Sequence, residues 1–202
     1  MRMSPRTAQQ NQAMRDESRA KIIAAALRLF SANGYERTSI KLIAEAAGVA
    51  QGLMYSHFAS KEALLLAIFQ QSIQDVYASF AMAEAGDPTQ SPVERIIRAA
   101  LTLVQERRDF WRLSYGVRTQ PAVLSTLGGE LPDWTSTIRA TLERALLASG
   151  ATNPQVEAAI LFATIDGVAQ HYVLDPDAYP LAAVTEALAA RYQGGSNDDH
   201  LA

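Results

Sequence analysis

The sequence contains no cysteine. Disulfides, thiolate metal sites and a cysteine nucleophile are therefore excluded, and the composition fits a cytoplasmic protein. The histidines, His57, His171 and His200, are too scattered to suggest a metal site. No G-x-S-x-G elbow occurs, so no catalytic residue is assigned and no cofactor is expected. No run approaches the roughly 20 apolar residues of a membrane span, so no membrane partner is expected. Alternating strand patterns of useful length are missing, and there is no internal repeat. The opening stretch, MRMSPRTAQQNQAMRDESRA, lacks the apolar centre of a secretory signal. Residues 1–16 read instead as a flexible polar arm carrying Arg2, Arg6 and Arg15.

Lysine is scarce and unevenly placed. All three lysines, Lys21, Lys41 and Lys61, lie in the first third. Residues 1–62 carry a net charge of +4 and the remainder −7, although the whole chain is −3. A basic first third on an acidic body suits a protein that meets a polyanion with one end.

What the sequence does contain is helical spacing almost throughout, so the expected class is all-α. Ile22, Ile23, Ala26, Leu27 and Phe30 repeat at three and four residues, and Asn33-Gly34 ends that helix. Thr38 is expected to cap a short helix over residues 39–47, which Gly48 breaks. A second short helix is expected over 50–57. Ser60 then caps a long helix with Leu64, Ile68, Val76 and Phe80 on its buried face. Further helices are expected over 92–107, 109–118, 132–149, 153–174 and 181–192. Residues 119–131 read as irregular with at most one helical turn, and 194–199 as a frayed tail.

Residues 39–58 have the organisation of a helix-turn-helix. Ile40, Ile43 and Ala47 face inward, and Gly48 permits the reversal. Met54 and Phe58, four apart, back the second helix. That places Gln51, Gly52, Leu53, Tyr55 and Ser56 outward or sideways. Gln51 can pair with an adenine edge through two hydrogen bonds, and Leu53 can touch a thymine methyl. Gly52 allows close backbone approach. Thr38, Ser39, Tyr55, Ser56, His57 and Lys61 complete the expected DNA-contacting set, the last of them as phosphate holders that fix register rather than sequence.

The stretch GYERTSIKLIAEAAGVAQGLMYSHFASKEAL, residues 34–64, closely resembles the DNA-binding signature of the tetracycline-repressor (TetR) family. The likeness runs over about 22–65. Two positions depart from it: Ala50 stands where the family has Ser or Thr, and Leu53 where it often has a small polar residue. A missing N-cap costs about 1 kcal/mol, and both changes alter the expected base preference. The resemblance implies a helix-turn-helix domain over 17–62 and a helical ligand-binding and dimerisation domain over 63–202. It implies a homodimer paired through residues 153–174 and 181–192, where Leu181, Val184, Leu188 and Tyr192 form one stripe. It also implies a near-palindromic double-stranded operator, and a small-molecule effector that releases the DNA. Candidate effector contacts are Phe80, Trp111, Tyr115, Trp134, Phe162, Asp166 and His171, with Phe110 and Tyr172 as further aromatics. The rival readings are a ligand-free activator or architectural DNA binder, an all-α enzyme, and a protein-interaction module.

Overall fold

The computed structural model describes residues 8–127 and 130–193. These form ten helices and, among the described residues, no strand. The helices are α1 (Ala8–Asn33), α2 (Ile40–Ala47), α3 (Gln51–His57), α4 (Lys61–Glu84) and α5 (Pro92–Glu106). They continue as α6 (Arg108–Arg118), α7 (Pro121–Thr126), α8 (Glu130–Ala148), α9 (Pro154–Leu174) and α10 (Leu181–Ala190).

Local chemistry sets most boundaries. Gly34, at φ +84°, ends α1 in a conformation that a side chain would strain. Gly48, at φ +67°, does the same for α2 and bonds back to Ala44 and Glu45. Ser60, Ser91 and Asn153 each cap the helix that follows, and Pro92 and Pro154 occupy positions where a missing N–H costs nothing. Ser39, not Thr38, caps α2: its hydroxyl accepts from the Leu42 N–H at 3.2 Å. The region expected to be irregular holds the one-and-a-half-turn helix α7, begun by Pro121. The expected flexible arm is shorter than its sequence suggested. Residues 8–16 extend α1 as an exposed helix, stitched by Gln12–Asp16 and by Lys21–Glu17. Arg2 and Arg6, the 128–129 glycine pair and the 194–199 tail lie outside the described residues.

Two hydrophobic clusters organise the chain. The first gathers Ile22, Phe30, Ile43, Met54, Phe58 and Leu64 from the first four helices. It continues past Glu62 into Phe69 and Ile73 of α4 and takes in Phe110, Leu113 and Val117 of α6. Each fully buried side chain of this size contributes about 1.5–3 kcal/mol. The second cluster joins α5, α8, α9 and α10, with Val76 and Phe80 from the far half of α4. Helices α4 and α6 therefore supply side chains to both, and α6 lies between α1 and α9.

The stripe expected to serve pairing is used within the chain. Leu181 and Leu188 are buried, with Val184 and Tyr192 packed beside them, because α10 lies against α5. Arg98 of α5 fastens the same contact by bonding Glu94 beside it and Glu186 on α10. Helix α9 leaves Val156, Ile160 and Leu174 exposed, and Met82 of α4 and Leu147 of α8 are exposed as well.

Candidate nucleic-acid interface and interior cavity

Helices α2 and α3 form a tight unit. Ile43 and Ala44 of α2 and Met54 of α3 are buried, and Phe58 closes the end of α3. A rigid base of this kind holds the opposite face of α3 in one orientation. That face carries Gln51, Gly52, Leu53, Tyr55 and Ser56, all exposed. Tyr55 is 54% and Leu53 37% accessible, so this face presents apolar as well as polar groups outward. The Ser56 hydroxyl donates to the Leu53 carbonyl at 2.8 Å, leaving only its lone pairs outward. Ser39 is also exposed, and with its oxygen accepting from Leu42 its own O–H remains to donate. Ala50 precedes α3 in extended conformation and supplies no side-chain cap. The first N–H groups of α3 consequently lack a side-chain acceptor from that position.

Three expected contacts are placed differently. Thr38 is 1% exposed, and its hydroxyl is used on the Gly34 and Leu29 carbonyls, 2.9 and 3.3 Å away. It secures the turn between α1 and α2 and is not a surface contact. The Lys61 ammonium donates to the Tyr35 and Thr38 carbonyls at 3.2 and 3.4 Å and lies 4.2 Å from the centre of the Tyr35 ring. It is held inward by that cluster rather than extended toward phosphate. The His57 ring turns its Nε2 into the protein, where it has no partner among the described residues. Only the rest of that half-buried ring is available outward.

The turn that holds Thr38 is braced from α4 as well. The Tyr35 hydroxyl donates to Glu62 at 3.1 Å. Burial, with the adjacent Glu62 carboxylate, raises the Tyr35 pKa, so the phenol stays a donor. Bonds to its own backbone N–H and to Ser60 hold Glu62 below the usual carboxylate range. The start of α4 is thereby locked to the base of the helix-turn-helix.

A cavity of about 60 Å³ lies where the two clusters meet. Six of the seven expected contacts line it: Phe80, Trp111, Tyr115, Trp134, Phe162 and Asp166. Phe110 lines it too, whereas Tyr172 is buried elsewhere in the core. His171 does not belong to it. That ring is exposed and stacks on Tyr179, 6.2 Å away between centres. A one-residue change in helical phase separates it from Tyr172, which points inward. The walls are aromatic and tightly ordered, with Trp134 stacked on Phe69 and Phe110 set edgewise to both Phe69 and Trp111.

Polar groups gather at one end. Arg118 Nη1 donates to both Asp166 carboxylate oxygens at 2.9 Å. The Tyr115 hydroxyl donates to the Asp166 carbonyl at 3.1 Å and to its Oδ1 at 3.2 Å. Burial, reinforced by the Asp166 charge, raises the Tyr115 pKa and keeps this donor protonated. Arg118 was absent from the expected set. As the last residue of α6 it carries no sequence signal of its own, and only the packing of α6 on α9 brings it to Asp166. Among the described residues, no group of three potential metal ligands occurs.

The family model of the bacterial regulatory proteins of the tetR family matches residues 22–68. The transcriptional regulator UidR of Escherichia coli is 40% identical over 63 residues, 31% of this chain and 32% of that protein. The chain spans about a third of the length of the first such relatives it matches. The structure of the fatty acid degradation regulator FadR from Bacillus halodurans superposes with a TM-score of 0.75 at 19% identity, over 89% of this chain and 96% of that one. FadR from Bacillus subtilis, solved with stearoyl-CoA, gives 0.70 at 20% identity, over 88% and 98%. Those two likenesses establish a shared all-helical fold across almost the whole chain. Residues 22–68 are thus similar to the DNA-binding segment of the tetR family of bacterial regulatory proteins, and the wider chain shares the fold of those two structures.

Proposed function

We propose that this chain is a sequence-specific DNA-binding transcription regulator and not an enzyme. In this reading it is a homodimeric repressor released from a near-palindromic operator when a small, largely apolar or aromatic molecule enters the cavity. The observation that carries the reading is the exposed face of α3, from Gln51 to Ser56, held on a buried base. Residues 17–62 would grip DNA, with Gln51 and Leu53 meeting base edges. Ser39, Tyr55, Ser56 and the outer edge of His57 would meet the backbone. Residues 63–202 would sense and pair.

The pairing surface in this reading is α9. Val156, Ile160 and Leu174 are exposed along it, and Gly167 lies between them. A methyl group placed on Gly167 meets nothing within 4 Å among the described residues, so no contact with them calls for glycine there. Mid-helix glycine costs about 1 kcal/mol relative to alanine, which a close partner helix would offset. A two-fold pair sets two recognition helices about one DNA turn apart, roughly 34 Å.

Release would pass through α4 and α6. The start of α4 is locked to the helix-turn-helix, while Phe69, Ile73, Val76 and Phe80 on the same helix line the cavity. A ligand shifts DNA affinity only as far as it prefers one arrangement of these helices. The present cavity is far smaller than the roughly 300–1,000 Å³ of ordinary ligand sites. Occupancy therefore demands movement of its walls, which is what coupling needs. The stearoyl-CoA held by the B. subtilis relative is far larger than this space and would require more opening still.

The test is selection of bound DNA from a random pool, followed by affinity measurements on the selected site over a range of salt. Enrichment of a palindrome with steeply salt-dependent binding is the expected result. Recovery of no sequence would overturn the reading.

A further inference from the structure

The cavity is almost wholly apolar, yet two of the residues that line it, Trp111 and Arg118, carry hydrogen-bond donors that are unused. The first is Trp111 Nε1, which is buried and has no partner among the described residues. A buried donor left unmatched is costly, so a ligand that supplies an acceptor is favoured there. The second is the far edge of Arg118. Its Nη1 alone serves both Asp166 oxygens, and its Nε and Nη2 donate to no acceptor among the described residues. That edge is the planar pair of N–H groups that matches a carboxylate with two parallel bonds.

From this geometry we infer that the ligand of the cavity is a compact aromatic carboxylate, its ring among the aromatic walls and its carboxylate on Arg118 and Trp111. The inference rests on the ligand-responsive reading above and narrows it to one chemical class. Asp166 does not bar a second carboxylate at Arg118. Elsewhere in this chain Arg98 holds Glu94 through Nε and Nη2 and Glu186 through Nη1 and Nη2, two carboxylates on one guanidinium. Asp166 instead fixes the guanidinium plane, with Tyr115 holding Asp166 and the Arg118 charge lying 5.0 Å from the Tyr115 ring centre. An amine has no carboxylate to take, since Asp166 is already satisfied by Arg118 and Tyr115. A bare hydrocarbon would leave both donors unmatched.

Size sets a further condition. A cavity of about 150 Å³ accommodates benzene, and this one is about 60 Å³. Entry of even a single ring must displace wall side chains. Trp111 and Trp134 both line the cavity and are the only tryptophans in the chain, so intrinsic fluorescence reports occupancy without a label.

The experiment titrates the full chain, without DNA, with benzoate, toluene and benzylamine, following tryptophan emission. Benzoate is expected to bind at least tenfold more tightly than toluene or benzylamine. Arg118→Gln is expected to weaken benzoate at least tenfold and leave toluene unchanged, with Arg118→Lys recovering only part. Trp111→Phe keeps the ring, removes the N–H and is expected to weaken benzoate severalfold, with Trp134 still reporting. Equal binding of the three compounds by the unaltered chain would overturn the inference, and that comparison involves no variant that must fold. So would undiminished benzoate affinity in folded Arg118→Gln. Operator affinity is measured separately. Arg118-dependent benzoate binding that leaves DNA affinity unchanged supports the carboxylate site and refutes the release reading alone.

Discussion

Arg118 and Asp166 join α6 to α9 through one nitrogen, Nη1, placed 2.9 Å from each carboxylate oxygen. The two side chains are 29% and 28% accessible, so the pair is neither dry nor fully screened. It forms the single charged contact at the edge of an apolar cavity and fixes which faces of α6 and α9 meet there.

Removing the charge from this pair should cost a modest amount of stability. Asp166→Asn keeps the shape and some hydrogen bonding, and it should lower unfolding free energy by about 1 kcal/mol. For a chain of this size that is a fall of roughly 2–4 °C in Tm. Thermal unfolding followed by circular dichroism checks it, and a loss several times larger would mean that the pair organises the cavity walls as well.

Ala50→Ser should stabilise the recognition helix. Ala50 has the extended backbone of an N-cap, at φ −67° and ψ 142°, but no side chain able to cap. The added hydroxyl should contribute about 1 kcal/mol, seen as a Tm increase of roughly 2–4 °C. An unchanged or lower Tm would show that the N–H groups there are already well served by water.

Gln51→Ala and Tyr55→Ala should differ in kind. Loss of a bidentate base contact at Gln51 should cost about 1–3 kcal/mol and relax preference at one base position. Tyr55→Ala should weaken binding evenly across sites. Competition assays on operator variants separate the two, and equal losses on every site for Gln51→Ala would remove its role as a base reader.

High pH should loosen the fold through buried phenols. Burial raises the pKa of both Tyr35 and Tyr115, and Asp166 and Glu62 add to it. Above about pH 10 the unfolded chain loses these protons while the folded chain keeps them. The folded state then binds more protons, so stability falls as pH rises, by at most about 1.4 kcal/mol per pH unit per group. The stabilising effect is complete below the unfolded value and diminishes toward the folded one. Urea midpoints between pH 9 and 11 should drop, and the double variant Tyr35→Phe, Tyr115→Phe should flatten the slope.

Gly167→Leu should separate the pairing surface from the fold. Among the described residues nothing lies within 4 Å of a Cβ at this position, so the far-ultraviolet spectrum should be unchanged. If α9 meets a partner helix there, sedimentation should shift from dimer toward monomer. A dimer of unchanged strength would move the pairing surface elsewhere.

Much of the fold could be read in advance because its causes are local. Three- and four-residue apolar spacing, Gly34 and Gly48, and the serine caps at 60 and 91 act within a turn or two of chain. Failures arose where a residue's fate depends on a neighbour distant in sequence. Thr38 has the chemistry of a cap or a surface contact, but Leu29 and Gly34 carbonyls claim its hydroxyl. Lys61 has the charge for phosphate, but the turn at Tyr35 captures it. The α10 stripe has the look of a partner surface, but α5 covers it.

The cavity illustrates the same division. Aromatic residues at positions 80, 111, 115, 134 and 162 can be listed from sequence, but plain core and cavity wall have identical composition. Sequence alone determined the all-helical class, the helix-turn-helix with its outward Gln51–Ser56 face, and the DNA-binding signature, since each depends on spacing within one short segment. Tertiary structure decided that six of the candidates share one cavity while His171 faces solvent, and that Arg118 meets Asp166 across 48 residues. The physical reason is that helix-on-helix packing, not local spacing, selects which side of α6 and α9 is enclosed.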